Sequence, residues 1–360
     1  PTFGVTPPLL VGRDQTIADF KEALEAGIGS PYRALLLTGT RGAGKTVLLN
    51  ALEDIALEQG WAVISLTARP GIIKELTEVL LPEYLERYGK AGSRIKQANA
   101  TVLGVGAGFA KHDPAQRNPG LRSQLFQLAD IFASQESGLL ISMDEVHRSA
   151  VDDLRHLTQE IQHAFRQGKN IAFIAAGLPE AVNDLLSDDV LTFLRRAERI
   201  TLGTVPLSDI EQALEVPAQQ HNKTFSAEAL SLATKSTQGY PYLIQSIGYE
   251  TWRAAKDSSE ILTGHAELGV QKAKSRIGAL VHEPALSALS DVDKSFLRAM
   301  AVDDSPSKIA HITERLGVEP QYTNTYRARL LGHEIIFSPR HGYLDFTIPY
   351  LREYLREQTS

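Results

Sequence analysis

Short apolar runs alternate with segments of helical periodicity along the first half of the chain. Five runs have the length and apolar content of buried strands, and they lie at 33–38, 61–67, 139–143, 170–177 and 199–205. Amphipathic segments fall between them, at 46–59, 71–88 and 151–167. Strands that alternate with helices predict a parallel sheet with right-handed crossovers. The first half is therefore predicted to be an α/β domain, whose sheet ends at Pro206.

The second half has a different pattern. Helical periodicity runs from Ser208 to about Leu280, and a proline among polar residues indicates a linker near Glu283. Three short helices are predicted after it, followed by a hairpin, and these lie at 293–301, 307–316, 320–331 and 334–349. Three helices and a hairpin is the order of a winged helix. We therefore predict a P-loop parallel-sheet core at 1–206, a helical lid at 207–283 and a winged-helix domain at 284–360.

Composition narrows the class of protein. The 360 residues are 43% hydrophobic and 22% charged, as in ordinary globular proteins, and they include no cysteine, which excludes disulfides and thiolate metal sites. No apolar run approaches the ~20 residues that span a bilayer, and no secretory signal pattern is present. We expect a cytoplasmic protein with no membrane role. The net charge of -6 argues against coating nucleic acid through bulk charge.

A glycine-rich segment, GTRGAGKT at 39–46, joins the first strand to the following helix. It fits G-x-x-x-x-G-K-[ST], in which small residues let successive backbone N–H groups point at phosphate oxygens. Lys45 supplies a mobile cation for the outer phosphates, and the Thr46 hydroxyl can ligate Mg²⁺. The predicted nucleotide-binding residues here are Gly39, Thr40, Arg41, Gly42, Ala43, Gly44, Lys45, Thr46 and Val47. The alternative is a glycine-rich turn that fits by chance, but the strand and helix context favours a phosphate loop.

Two adjacent acids end the third predicted strand. In GLLISMDEVH the apolar run stops at Asp144 and Glu145, at the edge where parallel sheets present polar residues to ligands. Asp144 is predicted to hold Mg²⁺ through water, and Glu145 to polarise the water that attacks the terminal phosphate. The alternative is a solvated strand end that carries two acids by accident.

The segment LLVGRDQTIADFKEAL, the DE pair and the arginines before the last strand together resemble the AAA+ ATPases. The chain is similar to the origin-recognition and cell-division-control initiator-like group, and also to the signal-transduction ATPases with numerous domains. The resemblance implies ATP as the nucleotide, and it implies that Val11 and Gly12 lie against adenine. It also implies an arginine finger at Arg196, with Arg195 and Arg199 as alternatives.

An arginine finger acts on the nucleotide of a neighbouring subunit, so this role would require a homo-oligomer. The alternative for Arg196 is a solvated basic helix end. Two departures from the family pattern point to slow hydrolysis. The strand expected to end in a polar, water-sensing residue ends in Ala175, Ala176 and Gly177, and Tyr242 stands where the lid of these ATPases usually carries an arginine.

The predicted winged helix offers side chains suited to DNA. The candidates on its third helix are Tyr322, Asn324, Thr325, Arg327 and Arg329, and those at the wing tip are Arg340 and His341. From Pro284 onward, however, the chain has nine basic residues and ten acidic ones, so this domain carries no excess of positive charge. Winged helices also serve protein contacts, so DNA and protein both remain open as partners.

A basic segment lies between the second and third predicted strands. From 89 to 122 we count six basic residues and one acid, Asp113; the basic residues are Lys90, Arg94, Lys96, Lys111, Arg117 and Arg122. The glycines in its middle predict an extended or hairpin insertion that meets nucleic acid or another partner. A disordered, solvated loop is the alternative.

Two function classes fit these features. One is an ATP-hydrolysing machine that acts on DNA as an oligomer, with Arg196 working in trans. The other is a slow or non-turning-over signalling switch, in which ATP holds core, lid and winged helix together and the winged helix binds protein rather than DNA.

Overall fold

The computed structural model describes residues 10–89, 120–147, 150–187 and 194–358. Its contacts divide the chain into two compact units. The sheet unit comprises the described residues of 13–38 and 45–201. The lid-wing unit comprises 10–12, the loop Gly39–Gly44 and the described residues from Leu202 to 358. The glycine loop thus belongs to the same unit as the lid.

The sheet unit is built on five parallel strands. They are β1 (Ala34–Thr38), β2 (Ala62–Thr67), β3 (Leu139–Val146), β4 (Ile171–Gly177) and β5 (Glu198–Thr201), in the order β2-β3-β4-β1-β5. Every residue of β1 and of β4 is buried, as expected of strands covered by helices on both faces. The predicted α/β fold with a parallel sheet is therefore confirmed.

Helices join and cover these strands. They are α1 (Asp14–Ala26), α2 (Lys45–Glu58), α3 (Ile72–Glu75), α4 (Leu81–Tyr88), α5 (Leu121–Ala133), α6 (Val151–Arg166) and α7 (Pro179–Ser187). The helix predicted at 71–88 is not continuous, because a π-helical turn, Leu76–Leu80, separates α3 from α4. Pro82 explains the break, since its ring lacks an N–H and would clash with the preceding helical turn.

The last strand is shorter than predicted and ends at Thr201. Beyond it, the backbone N–H of Val205 donates to the carbonyl of Gly239, 2.7 Å away. This segment is therefore held by the lid rather than by a strand partner. Periodicity alone could not distinguish the two, because both environments bury apolar side chains.

The lid consists of helices α8 (Leu207–Gln220), α9 (Ala227–Ser236), α10 (Pro241–Ala254) and α11 (Thr263–Ile277), with a small parallel pair, β6 (Thr224–Phe225) and β7 (Glu260–Ile261). A π-helical turn, Gly278–His282, and α12 (Glu283–Ser287) follow α11. The expectation of a linker near Glu283 was wrong, because Pro284 lies in the first turn of α12, where its missing N–H costs no helical hydrogen bond.

The C-terminal domain is a winged helix. Its elements are α13 (Asp291–Ala301), β8 (Ser307–Lys308), α14 (Ile309–Leu316), α15 (Pro320–Gly332), β9 (Ile336–Phe337), β10 (Tyr343–Phe346) and α16 (Leu351–Glu357). The predicted hairpin is the β9-β10 pair, and β8 completes a three-stranded sheet in the order β8-β10-β9. The sequence prediction assigned Ser307 and Lys308 to a helix, but they form β8 by pairing with β10.

Lid and winged helix share a single cluster of buried apolar side chains. His282 is buried at their junction, where its Nε2 lies 2.8 Å from the carbonyl oxygen of Pro349 and its ring packs against Tyr354. Burial lowers the pKa of His282, which favours the neutral ring. The Tyr350 hydroxyl donates to the carbonyl of Ser236 at 2.7 Å. These contacts join the two parts into one body.

Among the described residues, no helix is both long and apolar enough to cross a bilayer.

Candidate functional site

The glycine loop Gly39–Gly44 is held by the first residues of α10. The Tyr240 hydroxyl donates to the carbonyl of Arg41, and the backbone N–H of Tyr242 donates to the carbonyl of Gly42 at 3.1 Å. Burial raises the pKa of Tyr240, so its hydroxyl remains a donor. Two backbone carbonyls of the loop are thus fixed by the lid.

Gly42 leaves little room for a side chain. A Cβ at this position would lie 3.0 Å from the Tyr240 hydroxyl oxygen and 3.1 Å from Cβ of Tyr242. Its φ of 75° is also a left-handed conformation that favours glycine. The glycine permits the close contact with the lid, and its role in the approach of a phosphate stays a prediction.

The helical half of the motif opens α2 in the sheet unit. Thr46 lies in the first turn of α2, and its hydroxyl donates to Oδ2 of Asp144 over 2.7 Å. Thr46 is exposed and Asp144 is partly exposed. The structure therefore brings together the two residues that the sequence predicts as metal ligands.

A β-bulge orients the acidic pair. The pairing of β3 with β4 shifts between Met143 and Val146, and Glu145 takes a φ of 54°. Its own N–H donates to Oδ1 of Asp144 at 2.7 Å. A left-handed conformation in a non-glycine residue costs of order 1 kcal/mol or more, and such strain concentrates at functional sites. The bulge leaves the Glu145 side chain exposed.

The neighbouring strand leaves space for this bulge by ending in glycine. A Cβ on Gly177 would lie 2.9 Å from the carbonyl oxygen of Val146. A larger residue would therefore push β4 away from the bulge. This packing gives a structural reason for part of the Ala175–Gly177 sequence, where a polar residue was expected.

The Thr46 and Asp144 pair fits Mg²⁺. Both residues offer hard oxygen atoms at one point, and Mg²⁺ in phosphate sites commonly takes one or two protein ligands, with phosphate and water supplying the others. The described residues contain no cluster of three or more His, Cys, Asp or Glu arranged for a metal ion.

Sequence reasoning missed a buried carboxyl group on α2. Glu53 is 8% exposed and accepts hydrogen bonds from the hydroxyls of Ser65, at 2.9 Å, and of Ser142. Burial raises its pKa, while the two hydroxyl donors act in the opposite direction. The available signal was that Glu53 falls among Leu49, Leu52 and Ala56 on the apolar face of the helix.

Val11 and Gly12 lie in the lid-wing unit. Val11 packs against the shared apolar cluster, and a Cβ on Gly12 would lie 3.3 Å from Cγ1 of Val205. These contacts explain the apolar and glycine residues structurally, and the contact with adenine stays a prediction.

The three candidate finger residues stand around a 3₁₀ turn, Leu194–Arg196, and the start of β5. Arg196 and Arg199 are exposed. The Arg195 Nε instead donates to the carbonyl of Leu186 at 2.9 Å, which gives that side chain a structural role. The choice of Arg196 as a finger stays a prediction.

The side chains predicted to contact DNA differ in their surroundings within the winged helix. Arg329 donates to the buried carboxylate of Asp293, with its Nε 3.0 Å from Oδ1, so this side chain has an internal partner and its contact with DNA stays a prediction. Asp293 is 2% exposed and would lose its charge partner if Arg329 turned outward. Tyr322 is exposed, and at the wing Arg340 lies 3.8 Å from the ring centre of Tyr343.

The basic segment at 89–122 falls almost entirely outside the described residues. Of its basic residues the structure describes Arg122, which opens α5 and pairs with Glu160. Arg122 therefore has an internal partner. The predicted hairpin insertion, with Lys90, Arg94, Lys96, Lys111 and Arg117, lies outside the described residues.

Comparisons with known proteins find relatives of the first part of the chain. Residues 9–174 match a family described as the AAA ATPase domain, and this part of the chain is similar to that family. Residues 279–355 match a second family, described as a domain of unknown function (DUF8462). The AAA ATPase family is a nucleotide-binding one, so the resemblance drawn from the phosphate loop and acidic pair is confirmed.

Two full-length matches extend beyond the AAA ATPase domain. A protein of Methanocaldococcus jannaschii named as an uncharacterized HTH-type transcriptional regulator is 22% identical over 351 residues, covering 92% of this chain and 84% of that protein. The Walker-type ATPase of Pyrococcus abyssi has the same fold, with a TM-score of 0.68, 17% identity and 96% coverage of both chains.

Removing the Thr46 hydroxyl should weaken metal-dependent nucleotide binding. We expect Thr46→Val to bind ADP roughly 10-fold more weakly in Mg²⁺, the size of one hydrogen bond to a charged group, and unchanged in EDTA. Thr46→Ser keeps the hydroxyl and should behave as wild type. Isothermal titration calorimetry measures the ADP affinity of the wild type and of both variants, in Mg²⁺ and in EDTA. An equal loss of ADP affinity in Mg²⁺ and in EDTA would show that the Thr46 hydroxyl stabilises the helix and does not bind the metal.

Proposed function

We propose that the chain is an ATP-dependent switch that binds ATP with Mg²⁺, hydrolyses it slowly and presents its winged helix to a partner according to the nucleotide state. The AAA ATPase family supports the nucleotide. The contact of α10 with the loop Gly39–Gly44 supports the switch, and it is the observation that carries the proposal.

The contact couples loop shape to lid position. Tyr240 and Tyr242 hold carbonyls on the outside of a loop whose N–H groups are expected to turn inward to phosphate. A phosphate that rotates these peptide units would change both hydrogen bonds. Because lid and winged helix share one apolar cluster, a displacement of α10 would carry the winged helix with it.

The catalytic roles follow from side-chain chemistry. Lys45 places a cation against the outer phosphates, Thr46 and Asp144 hold Mg²⁺, and Glu145 accepts a proton from the attacking water. Magnesium, when bound, neutralises charge on the phosphates. Glu145 is suited to its role because the bulge holds it exposed beside Asp144.

Slow turnover is supported by two replacements. The end of β4 is apolar at Ala175, Ala176 and Gly177, and all three residues are buried, so β4 supplies no polar side chain to orient water. Tyr242 approaches the loop with its backbone N–H instead of a cationic side chain. Less charge stabilisation is then available to the transition state.

We propose double-stranded DNA as the partner of the winged helix. The relative named as an HTH-type transcriptional regulator supports this choice, as do Tyr322 on α15 and Arg340 at the wing, which remain exposed. Four arginines of this domain are committed to internal ion pairs, namely Arg315, Arg329, Arg352 and Arg356. The affinity for DNA should therefore be modest.

The alternative is an oligomeric machine in which Arg196 acts in trans. Its exposed position is compatible with that role. The machine requires ATP-dependent oligomers, whereas the switch acts as a monomer. The oligomeric state with and without ATP therefore distinguishes the two functions.

Glu145→Gln provides the first test. Loss of the general base should reduce ATP hydrolysis 10²–10⁴-fold while ATP still binds, because the amide keeps the shape but not the basicity. Mass photometry of this variant with and without ATP should show a monomer in both conditions. ATP-induced rings would favour the machine, and wild-type protein that fails to bind Mg-ATP would refute the proposal.

Tyr240→Phe tests the coupling between loop and lid. The variant keeps the ring but loses the hydrogen bond to Arg41, and we expect the ATP-induced change in amide hydrogen exchange across α10 to shrink by at least half. Tyr242→Phe is the matched control, because Tyr242 contacts the loop through its backbone. If Tyr240→Phe and wild type respond equally to ATP, the hydroxyl plays no part in the coupling.

DNA binding is tested by fluorescence anisotropy with duplex DNA over a salt series. Removing one phosphate contact in Arg340→Gln should lower the slope of log affinity against log salt by about 0.9. Arg298→Gln makes the same charge change on α13, and its slope should match wild type. Equal slopes for both variants would exclude the wing from DNA contact.

A further inference from the structure

Glu53 is a buried acid whose hydrogen bonds connect three elements of the sheet unit. It lies in α2, and one of its oxygens, Oε1, accepts from Ser65 in β2 and from Ser142 in β3. Ser142 is fully buried, whereas Ser65 is exposed on the edge strand. Burial of a carboxyl group costs free energy unless hydrogen bonds compensate for the lost contact with water.

The geometry relates Glu53 to the metal pair. Glu53 follows Thr46 by seven residues, which brings it within about 20° of the same face of α2. Ser142 precedes Asp144 by two residues, and in a strand this spacing keeps side chains on one face. Two hydrogen bonds therefore join the same helix face to the same strand face: Thr46 to Asp144, and Ser142 to Glu53.

We propose that Glu53 is a positioning residue for the magnesium site. Its bond to Ser142 sets the register of α2 against β3, and this register holds the Thr46 hydroxyl against Asp144. Glu53 touches neither nucleotide nor metal in this role. The inference rests on the proposed binding of Mg-nucleotide and adds to it the residue that fixes the ligand geometry.

Ser142 distinguishes this role from general stability. Its hydroxyl is buried on the strand that ends in Asp144, and Glu53 is the acceptor for it. The bond from Ser65 reaches the same carboxyl group from β2, which carries no metal ligand. Loss of the first bond should change the metal site, and loss of the second should not.

The test compares ADP binding in Mg²⁺ and in EDTA by isothermal titration calorimetry. Groups that support metal ligands typically contribute 10–100-fold to metal affinity. We expect Ser142→Ala and Glu53→Leu to lower the affinity for ADP in Mg²⁺ by about 10-fold. The affinity for ADP in EDTA should stay within about twofold of the wild-type value. Glu53→Gln keeps an acceptor oxygen and should restore wild-type affinity. Ser65→Ala should also match wild type.

The outcomes separate two kinds of failure. If wild-type protein binds no Mg-ADP, the proposed function fails. If wild type binds while Ser142→Ala and Glu53→Leu keep full Mg²⁺ dependence, Glu53 has no positioning role. Equal losses in Mg²⁺ and EDTA would also overturn it, since general destabilisation does not select the metal. Should Glu53→Leu fail to fold, Ser142→Ala and Glu53→Gln decide the matter alone.

Discussion

The close approach of α10 to Gly42 is the constraint on which the proposed coupling depends. A side chain at position 42 would crowd the ring of Tyr240, and the loop carbonyls lie within hydrogen-bonding reach of the lid. In the proposed function, the same small residues would admit both a phosphate and this protein contact. A change of loop shape on phosphate binding would then alter the contact with the lid.

In the sheet unit, hydrogen bonds position the candidate metal ligands. The helix α2 carries Thr46 at its start and Glu53 further along, and both are bonded to β3. The β3 bulge then exposes Glu145 while Asp144 faces Thr46. Packing among apolar side chains tolerates small slips, whereas hydrogen bonds fix distance and direction. Polar bonds are therefore suited to holding the ligands of a metal ion.

The lid and the winged helix meet at a buried junction. It is formed by the shared apolar cluster, the buried His282 and the Tyr350 hydroxyl. This junction is helical through Glu283–Ser287, where a linker was expected. In the proposed switch, this junction would carry a displacement of α10 to the winged helix.

The sequence by itself determined the existence of the five strands, the glycine loop between β1 and α2, the candidate pair Thr46 and Asp144, and the three helices and hairpin of the C-terminal domain. Each of these is encoded by local periodicity or by a motif of adjacent residues. Only the tertiary structure decided the roles of Tyr240, Glu53 and Arg329, because their partners lie 199, 89 and 36 positions away along the chain. Whether a polar side chain is buried and hydrogen-bonded depends on residues that are distant in the sequence. Local periodicity contains no information about those residues.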